Sequence, residues 1–114
     1  MKFFESEVVR AELAEISELQ EEIYGSFLNF PYISNEEKIR HIELLEELLG
    51  KQQVLYTRLS LSDDPQAKKI KQSILESAKV MGFPPNVDIN LIFNDAAKML
   101  EAMKNRLDKI DSER

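Results

Sequence analysis

Acidic side chains and one histidine cluster in the stretch EKIRHIELLEELL, which is the part of this sequence best suited to hold a metal ion. Glu37 and His41 are one helical turn apart, and the stretch continues with Glu43, Glu46 and Glu47. Carboxylates at helical spacing can bind a divalent cation, and such a cation can activate water against a phosphoryl group. One hypothesis is therefore a metal-dependent hydrolase of a small phosphorylated compound that uses these glutamates.

The known helical metal sites that this stretch resembles need further residues. A di-iron bundle carries two Glu-x-x-His pairs, whereas this chain has a single His. The helical nucleoside-triphosphate pyrophosphohydrolases add a Glu-x-x-Asp element, but here Glu76 is followed three places on by Lys79 and Glu101 by Lys104. This chain therefore lacks part of the motif that defines each of these two metal-enzyme classes.

Structural explanations exist for the same residues. A solvated helix face is the alternative for the three glutamates, and the imidazole of His41 is expected to be half-exposed beside the Glu37 carboxylate. The sequence has no Gly-rich phosphate loop and no Cys, which excludes disulfides, thiolate metal sites and cysteine nucleophiles. We assign no catalytic residue, no metal ligand and no cofactor.

Four apolar stripes at helical spacing predict four helices and no strands. The segments are Ser6 to Phe27, Ser34 to Leu61, Pro65 to Gly82 and Asp88 to Ile110. They predict an all-α fold, a small bundle of three or four helices with two of them long, in a single domain of residues 1–114. At 1.5 Å per residue the second and fourth helices reach roughly 40 and 35 Å, which is more than a compact domain of this size requires.

Capping residues fix the predicted boundaries. Ser34 begins the second helix. Ser62, Asp63 and Asp64 are all suitable caps for the third helix, and Pro65 suits its first turn. Gly82 can take the left-handed conformation that ends the third helix. Gly50 interrupts the second helix and predicts a kink or a close approach there.

Charge divides the chain unevenly. Residues 1–64 carry 14 Asp and Glu against 6 Lys and Arg, a net charge of −8, while residues 65–114 carry 7 against 9, a net charge of +2, which together give −6. The acidic first helix makes nucleic-acid binding unfavourable. No apolar run approaches the roughly 20 residues of a membrane span, and the first ten residues lack the features of a signal peptide. We expect a cytoplasmic protein.

Aromatic residues are concentrated around the first predicted loop. Tyr24, Phe27, Phe30 and Tyr32 give this connection more apolar surface than a loop usually carries. They predict either a loop folded onto the core or a surface that contacts a partner. The methionines Met81, Met99 and Met103 are predicted to fill the core.

The stretches MKFFESEVVRAEL and KQQVLYTRLSLSDDPQA, together with the closing helix, resemble a small all-helical protein family of cyanobacteria and their phages, a domain of unknown function. The most specific elements are Phe3, Phe4, Ser6, Glu7, Tyr56, Arg58, Leu61, Ser62, Asp63, Asp64, Pro65 and Ala67. The resemblance implies a cyanobacterial or phage origin and a helical fold, and it carries over no catalytic residue.

A polar corner is predicted where the second helix meets the third. Gln53, Tyr56 and Arg58 end one helix just before Asp63 and Asp64, and together they could recognise a partner. The structural alternative is an ion pair between Arg58 and these aspartates that fixes the turn.

These features favour a protein-interaction or regulatory module that acts through helix faces, rather than the hydrolase. We expect a homodimer in which the second and fourth helices, or the aromatic loop, bury apolar surface that one small bundle cannot cover. The predicted seam of the second helix runs through Leu45, Leu49, Gln52, Tyr56 and Leu59. A further protein partner is expected, and neither a membrane nor a nucleic acid is.

Overall fold

The computed structural model describes residues 2–84 and 88–112, with the backbone alone at 111 and 112. Within these ranges the chain forms four α-helices: α1 (Glu7–Phe27), α2 (Asn35–Leu61), α3 (Pro65–Val80) and α4 (Ile89–Ser112). Two short 3₁₀ helices, Phe3–Glu5 and Phe30–Tyr32, precede α1 and α2. The described part contains no strand, which confirms the predicted all-α fold.

Side-chain caps begin the helices where the sequence predicts them. Ser6, Ser34, Asp64 and Asp88 each accept a hydrogen bond from a backbone N–H two or three residues further on. These bonds satisfy donors that the first helical turn leaves without a partner. The starts of all four helices therefore follow from local chemistry.

The end of α3 is a Schellman motif. Gly82 has a φ of 101° and donates its N–H to the Lys79 carbonyl, while the Phe83 N–H bonds the Ala78 carbonyl, both at 3.0 Å. A positive φ is accessible to Gly because it has no Cβ. The stop predicted at Gly82 is confirmed.

Helix α2 is the centre of the fold and packs against α1, α3 and α4. It is antiparallel to α1, because Ser26 contacts His41 at one end and Glu12 contacts Arg58 towards the other. It is also antiparallel to α4, because Tyr56 contacts Phe93 near the start of α4 and Glu46 contacts Lys104 nearer its end. Short connections join α1 to α2 and α2 to α3, as expected for neighbouring helices in a bundle.

The core is thin and lies along α2. Its largest fully buried side chain is Ile42, at 0% exposure. A second cluster, where α1, α2, α3 and the first 3₁₀ helix meet, consists of Phe3, Val9, Leu59 and Ala67. The predicted seam of α2 is therefore used in part inside the chain, against its own helices. Among the described residues, no side chain lies within 4 Å of the position that a Cβ on Gly50 would occupy, so of the two predicted alternatives, a kink or a close approach, the close approach is wrong.

The molecule is elongated, with extents of 55 × 32 × 20 Å and a radius of gyration of 16.7 Å. A compact chain of this length would have a radius of gyration of about 13 Å. Among the described residues, no helix combines the length and the apolar character that crossing a bilayer requires.

Candidate functional site

Asp64 lies at the predicted polar corner, where it joins two elements. Its Oδ2 accepts the Phe3 N–H at 2.7 Å, and its Oδ1 accepts the Gln66 N–H at 3.2 Å. These two backbone donors, first Phe3 and then Gln66, hold the pKa of the Asp64 carboxyl below its usual value. The carboxylate therefore caps α3 and fastens the start of the chain to it.

Arg58 does not pair with the aspartates of the corner. Its Nε lies 2.8 Å from Oε1 of Glu12, so the side chain joins α2 to α1. The ion pair predicted between Arg58 and Asp63 or Asp64 is wrong, because the antiparallel packing of α1 places a carboxylate closer to the guanidinium. Asp63 itself is exposed.

The two other members of the corner lie on the side of α2 towards α4. The ring of Tyr56 is half-buried, with its centroid 6.1 Å from that of Phe93. Gln53 is half-buried and accepts the Thr57 hydroxyl with its backbone oxygen. Positions 53 and 58 differ by about 140° around an α-helix. The five corner residues therefore do not share one face.

The aromatic loop divides into a buried part and an exposed part. Phe30 is half-buried, with its ring 5.1 Å from the His41 ring and with Lys38 Nζ 5.6 Å from its centroid. The remaining side chains form an exposed surface that we call the aromatic patch, with 71% exposure at Tyr24 and 87% at Tyr32. Its members are Tyr24, Phe27, Leu28 and Tyr32. The loop thus folds onto the core through one ring only.

His41 is buried, at 6% exposure, and not half-exposed as predicted. Its Nδ1 lies 3.0 Å from the Ser26 hydroxyl of α1, and Phe30 covers the ring. Ser26 also donates to the carbonyl of Ile23. The predicted pairing with Glu37 is wrong, because the imidazole turns inward between α1 and the loop.

The acidic stretch on α2 does not gather into a metal site in the described part of the chain, where no group of three or more His, Asp or Glu side chains could hold a metal ion. Glu46 is engaged by Lys104 of α4 at 2.9 Å, while Glu43 and Glu47 are exposed. The hydrogen bond to Glu46 raises the pKa of the Lys104 ammonium. Within the described residues, these glutamates are therefore not arranged as a site with three or more ligands.

Polar contacts also hold α2 to its neighbours. Lys51 lies 2.8 Å from Glu15 of α1, and this hydrogen bond raises the pKa of the Lys51 ammonium. The Lys51 and Arg58 ion pairs join α2 to α1, and the Lys104 ion pair joins α2 to α4. Partly exposed pairs of this kind fix orientation more than they add stability.

An apolar cleft between the four α-helices was missed by the sequence analysis. Its volume is about 520 Å³, and Gln52 is the polar residue in its lining. The other lining residues are Phe3, Phe4, Leu13, Ile16, Leu55, Tyr56, Leu59, Ile70, Ile74, Ile89 and Phe93. Two consecutive phenylalanines before the first helix were a signal for it, because apolar residues outside a helix commonly pack against one.

The methionines are the second feature that sequence reasoning missed. Met81 is 76% exposed, Met99 65% and Met103 41%, so the prediction that they fill the core is wrong. Helix α4 packs on α2 through neighbouring positions instead. Exposed methionines give a flexible apolar surface that can adapt to a partner.

The whole chain was also compared with known proteins. Residues 1–112 match a protein family described as a domain of unknown function, DUF1825. The chain belongs to this family. No curated protein and no solved structure matches it. The family description names no activity.

Proposed function

We propose that this chain is a non-catalytic protein-interaction module that acts through helix faces and assembles as a homodimer. The resemblance noted in the sequence supports a cyanobacterial or phage origin, and the absence of an apolar run long enough to span a bilayer fits a place in the cytoplasm. The dimer takes up apolar surface on α4. The aromatic patch takes a further protein partner.

The observation that carries this proposal is the excess of accessible surface. The chain exposes 8416 Å². A monomeric protein of its 13.2 kDa is expected to expose about 6,400 Å². The excess of about 2,000 Å² per chain is more than the roughly 800 Å² per partner of a standard interface and is in the range of large obligate interfaces. Association is therefore the natural way for this chain to reach ordinary burial.

The exposed surface includes many large apolar side chains. Val80, Leu28 and Leu61 are each at least 80% exposed, and several others exceed 50%. Where exposed apolar side chains are neighbours, as in the aromatic patch, they often mark an interaction site. A net charge of −6 opposes association weakly at physiological salt, where the Debye length is about 8 Å.

Light scattering across a concentration series tests the homodimer. At micromolar concentration we expect a mass of twice 13.2 kDa, falling towards the monomer on dilution. A mass that stays at 13.2 kDa over the whole series would end the homodimer proposal.

The aromatic patch suits a partner with an apolar face and a basic rim. Exposed glutamates lie just before and just after the patch in the sequence, at Glu21, Glu22, Glu36 and Glu37. Tagged protein carrying Phe27→Ser and Tyr32→Ser should capture less of a specific protein from lysate than the wild type does. Leu61→Ser, at an equally exposed apolar position on α2, is the matched control. Equal capture by all three proteins would remove the patch from the proposal.

A further inference from the structure

Helix α4 carries two apolar stripes, and in the described part of the chain one of them is covered by another helix. The first packs on α2, where Phe93 meets Tyr56 and Lys104 meets Glu46. The second is largely exposed, at 65% for Met99, 41% for Met103 and 41% for Ile110. Ile92, half-buried, extends this stripe towards the start of the helix.

The positions of the exposed stripe fall on one line along the helix. At 3.6 residues per turn, residues 92, 99, 103 and 110 lie within about 40° of one another. This narrow width is typical of a helix that pairs with one other helix. We call these four residues, Ile92, Met99, Met103 and Ile110, the α4 stripe.

We propose that the α4 stripe is the homodimer interface, with α4 of a second copy packed antiparallel across a two-fold axis near position 101. The inference rests on the homodimer proposed above and names its interface. Positions 92 and 110 are equidistant from 101, as are 99 and 103. The pairing therefore sets Ile92 against the partner's Ile110 and Met99 against the partner's Met103.

This symmetry of the pattern is the reason for choosing a second copy as the occupant. A two-fold interface must be complementary to itself, since each surface meets an identical one. The stripe has β-branched isoleucines at both ends and two methionines between them, so it reads the same in either direction. A binding site for an unrelated helix has no need of that symmetry.

Charge at the edge of the stripe favours the same register. Asp95 and Arg106 are both exposed, and their positions differ by only about 20° around the helix. In the proposed register position 95 lies opposite position 107, so Asp95 comes beside the partner's Arg106. The two-fold axis creates this opposite-charge contact twice. Three other basic residues, Lys51, Arg58 and Lys104, already form ion pairs within the chain.

Each end of the paired helices would lie next to a concavity on the surface of the other copy. A concavity of about 350 Å³ lies between α3 and α4, and Met81, Phe83 and Ile92 help to line it. The partner's Ile110 lies opposite Ile92 and can fill this space. Pairing over residues 92–110 extends for roughly 27 Å, which is long enough for a helix interface at 1.5 Å per residue.

Sedimentation equilibrium on the full chain and on single variants tests the interface. Met99→Glu places two charges at the centre of the paired stripes and should abolish the dimer at micromolar concentration. Leu91→Glu, on the same helix at 57% exposure but outside the stripe, should leave it intact. Circular dichroism of each variant checks that the fold persists, as expected for changes at exposed positions.

Charge reversal tests the register. Asp95→Arg or Arg106→Asp alone should weaken dimerisation by about tenfold, because each sets like charges together at two symmetric contacts. The double variant should recover an affinity close to that of the wild type. In a parallel pair these positions lie about 16 Å apart along the axis, so the double variant would give no rescue.

The outcomes separate this inference from the proposal on which it rests. A wild-type dimer that survives Met99→Glu overturns the α4 interface and leaves the homodimer standing. A dimer that Met99→Glu breaks, but that the double charge reversal does not restore, overturns the antiparallel register. A monomeric wild type overturns both, and if Met99→Glu then loses a different captured protein, that protein replaces the second copy as the occupant.

Discussion

Asp64 illustrates how a single side chain can serve two elements. One carboxylate oxygen caps α3 through Gln66, and the other receives the Phe3 N–H from a residue 61 positions earlier. An ionised carboxylate is the stronger acceptor for both bonds. Both contacts therefore depend on the charge of this group.

The charge of Asp64 predicts a dependence of stability on pH. Because the folded-state pKa is below the ordinary value of 3.8, the contribution of this group is complete above 3.8 and is lost as the pH falls towards the folded-state value. Asp64→Asn should lower the melting temperature at pH 7 and flatten its decline between pH 5 and pH 2. Asp63→Asn, at an exposed neighbour, is the control and should follow the wild type.

Ile42 offers the most direct test of the thin core. It is the largest side chain that is fully buried, so Ile42→Ala should reduce the free energy of unfolding by about 3 kcal/mol through lost burial and a residual cavity. Val54→Ala, on the same helix at 50% exposure, should change it by less than about 0.5 kcal/mol. Urea unfolding at one protein concentration measures both, and similar losses would mean that the core does not lie along α2 as described.

At the scale of the elements, α4 is the helix whose packing matters most. Its sequence holds more apolar positions than one contact with α2 can cover, since Leu100 is half-buried while Met99 beside it is 65% exposed. A helix that is apolar on more than one side needs more than one neighbour. Helix α2 has several neighbours inside the chain, whereas Met99 of α4 is left exposed by the helices that the structure describes.

The glycines give a prediction with opposite signs at two positions. Gly50→Ala should raise the free energy of unfolding by about 0.5–1 kcal/mol, because the site is inside α2 and nothing lies within 4 Å of the new Cβ. Gly82→Ala should lower it by about 1–2 kcal/mol, because the φ of 101° disfavours any Cβ even in open space. Chemical denaturation compares the two, and equal signs would contradict the cap described for α3.

At the scale of the whole molecule, the elongated shape is the basis of the homodimer proposal. A chain with a radius of gyration of 16.7 Å leaves a large fraction of its atoms at the surface. Two copies joined along α4 would bury part of that surface between them. The dimer would be less elongated than one chain. The unfolding reaction would then include dissociation.

The proposed homodimer predicts a melting temperature that depends on protein concentration. For the wild type, each tenfold increase in protein concentration should raise the melting temperature by about 2–5 °C, as mass action favours the dimer. The Met99→Glu variant should melt at one temperature throughout. Scanning calorimetry over a hundredfold range makes the comparison, and a constant wild-type value would contradict a dimer that dissociates as it unfolds.

Much of the fold could be predicted from the sequence, because helix boundaries depend on nearby residues. Ser34, Asp64 and Gly82 act on backbone groups within a few positions, so their roles are the same in the isolated pattern and in the structure. The apolar periods identified the helices for the same reason. For the candidate surfaces, three aromatic side chains of the first loop are exposed, and the polar corner residues lie on different faces of the chain.

The tertiary structure decided which side chains pair with residues that are distant in the sequence. Arg58 pairs with Glu12, 46 positions away, and not with the nearer aspartates, because α1 packs antiparallel along that side of α2. His41 is buried for a similar reason, since α1 and the loop close over it. Met99 is exposed because α2 covers the neighbouring face of α4. Spacing tells which residues share a face, whereas only the packing of the helices selects the face that is covered.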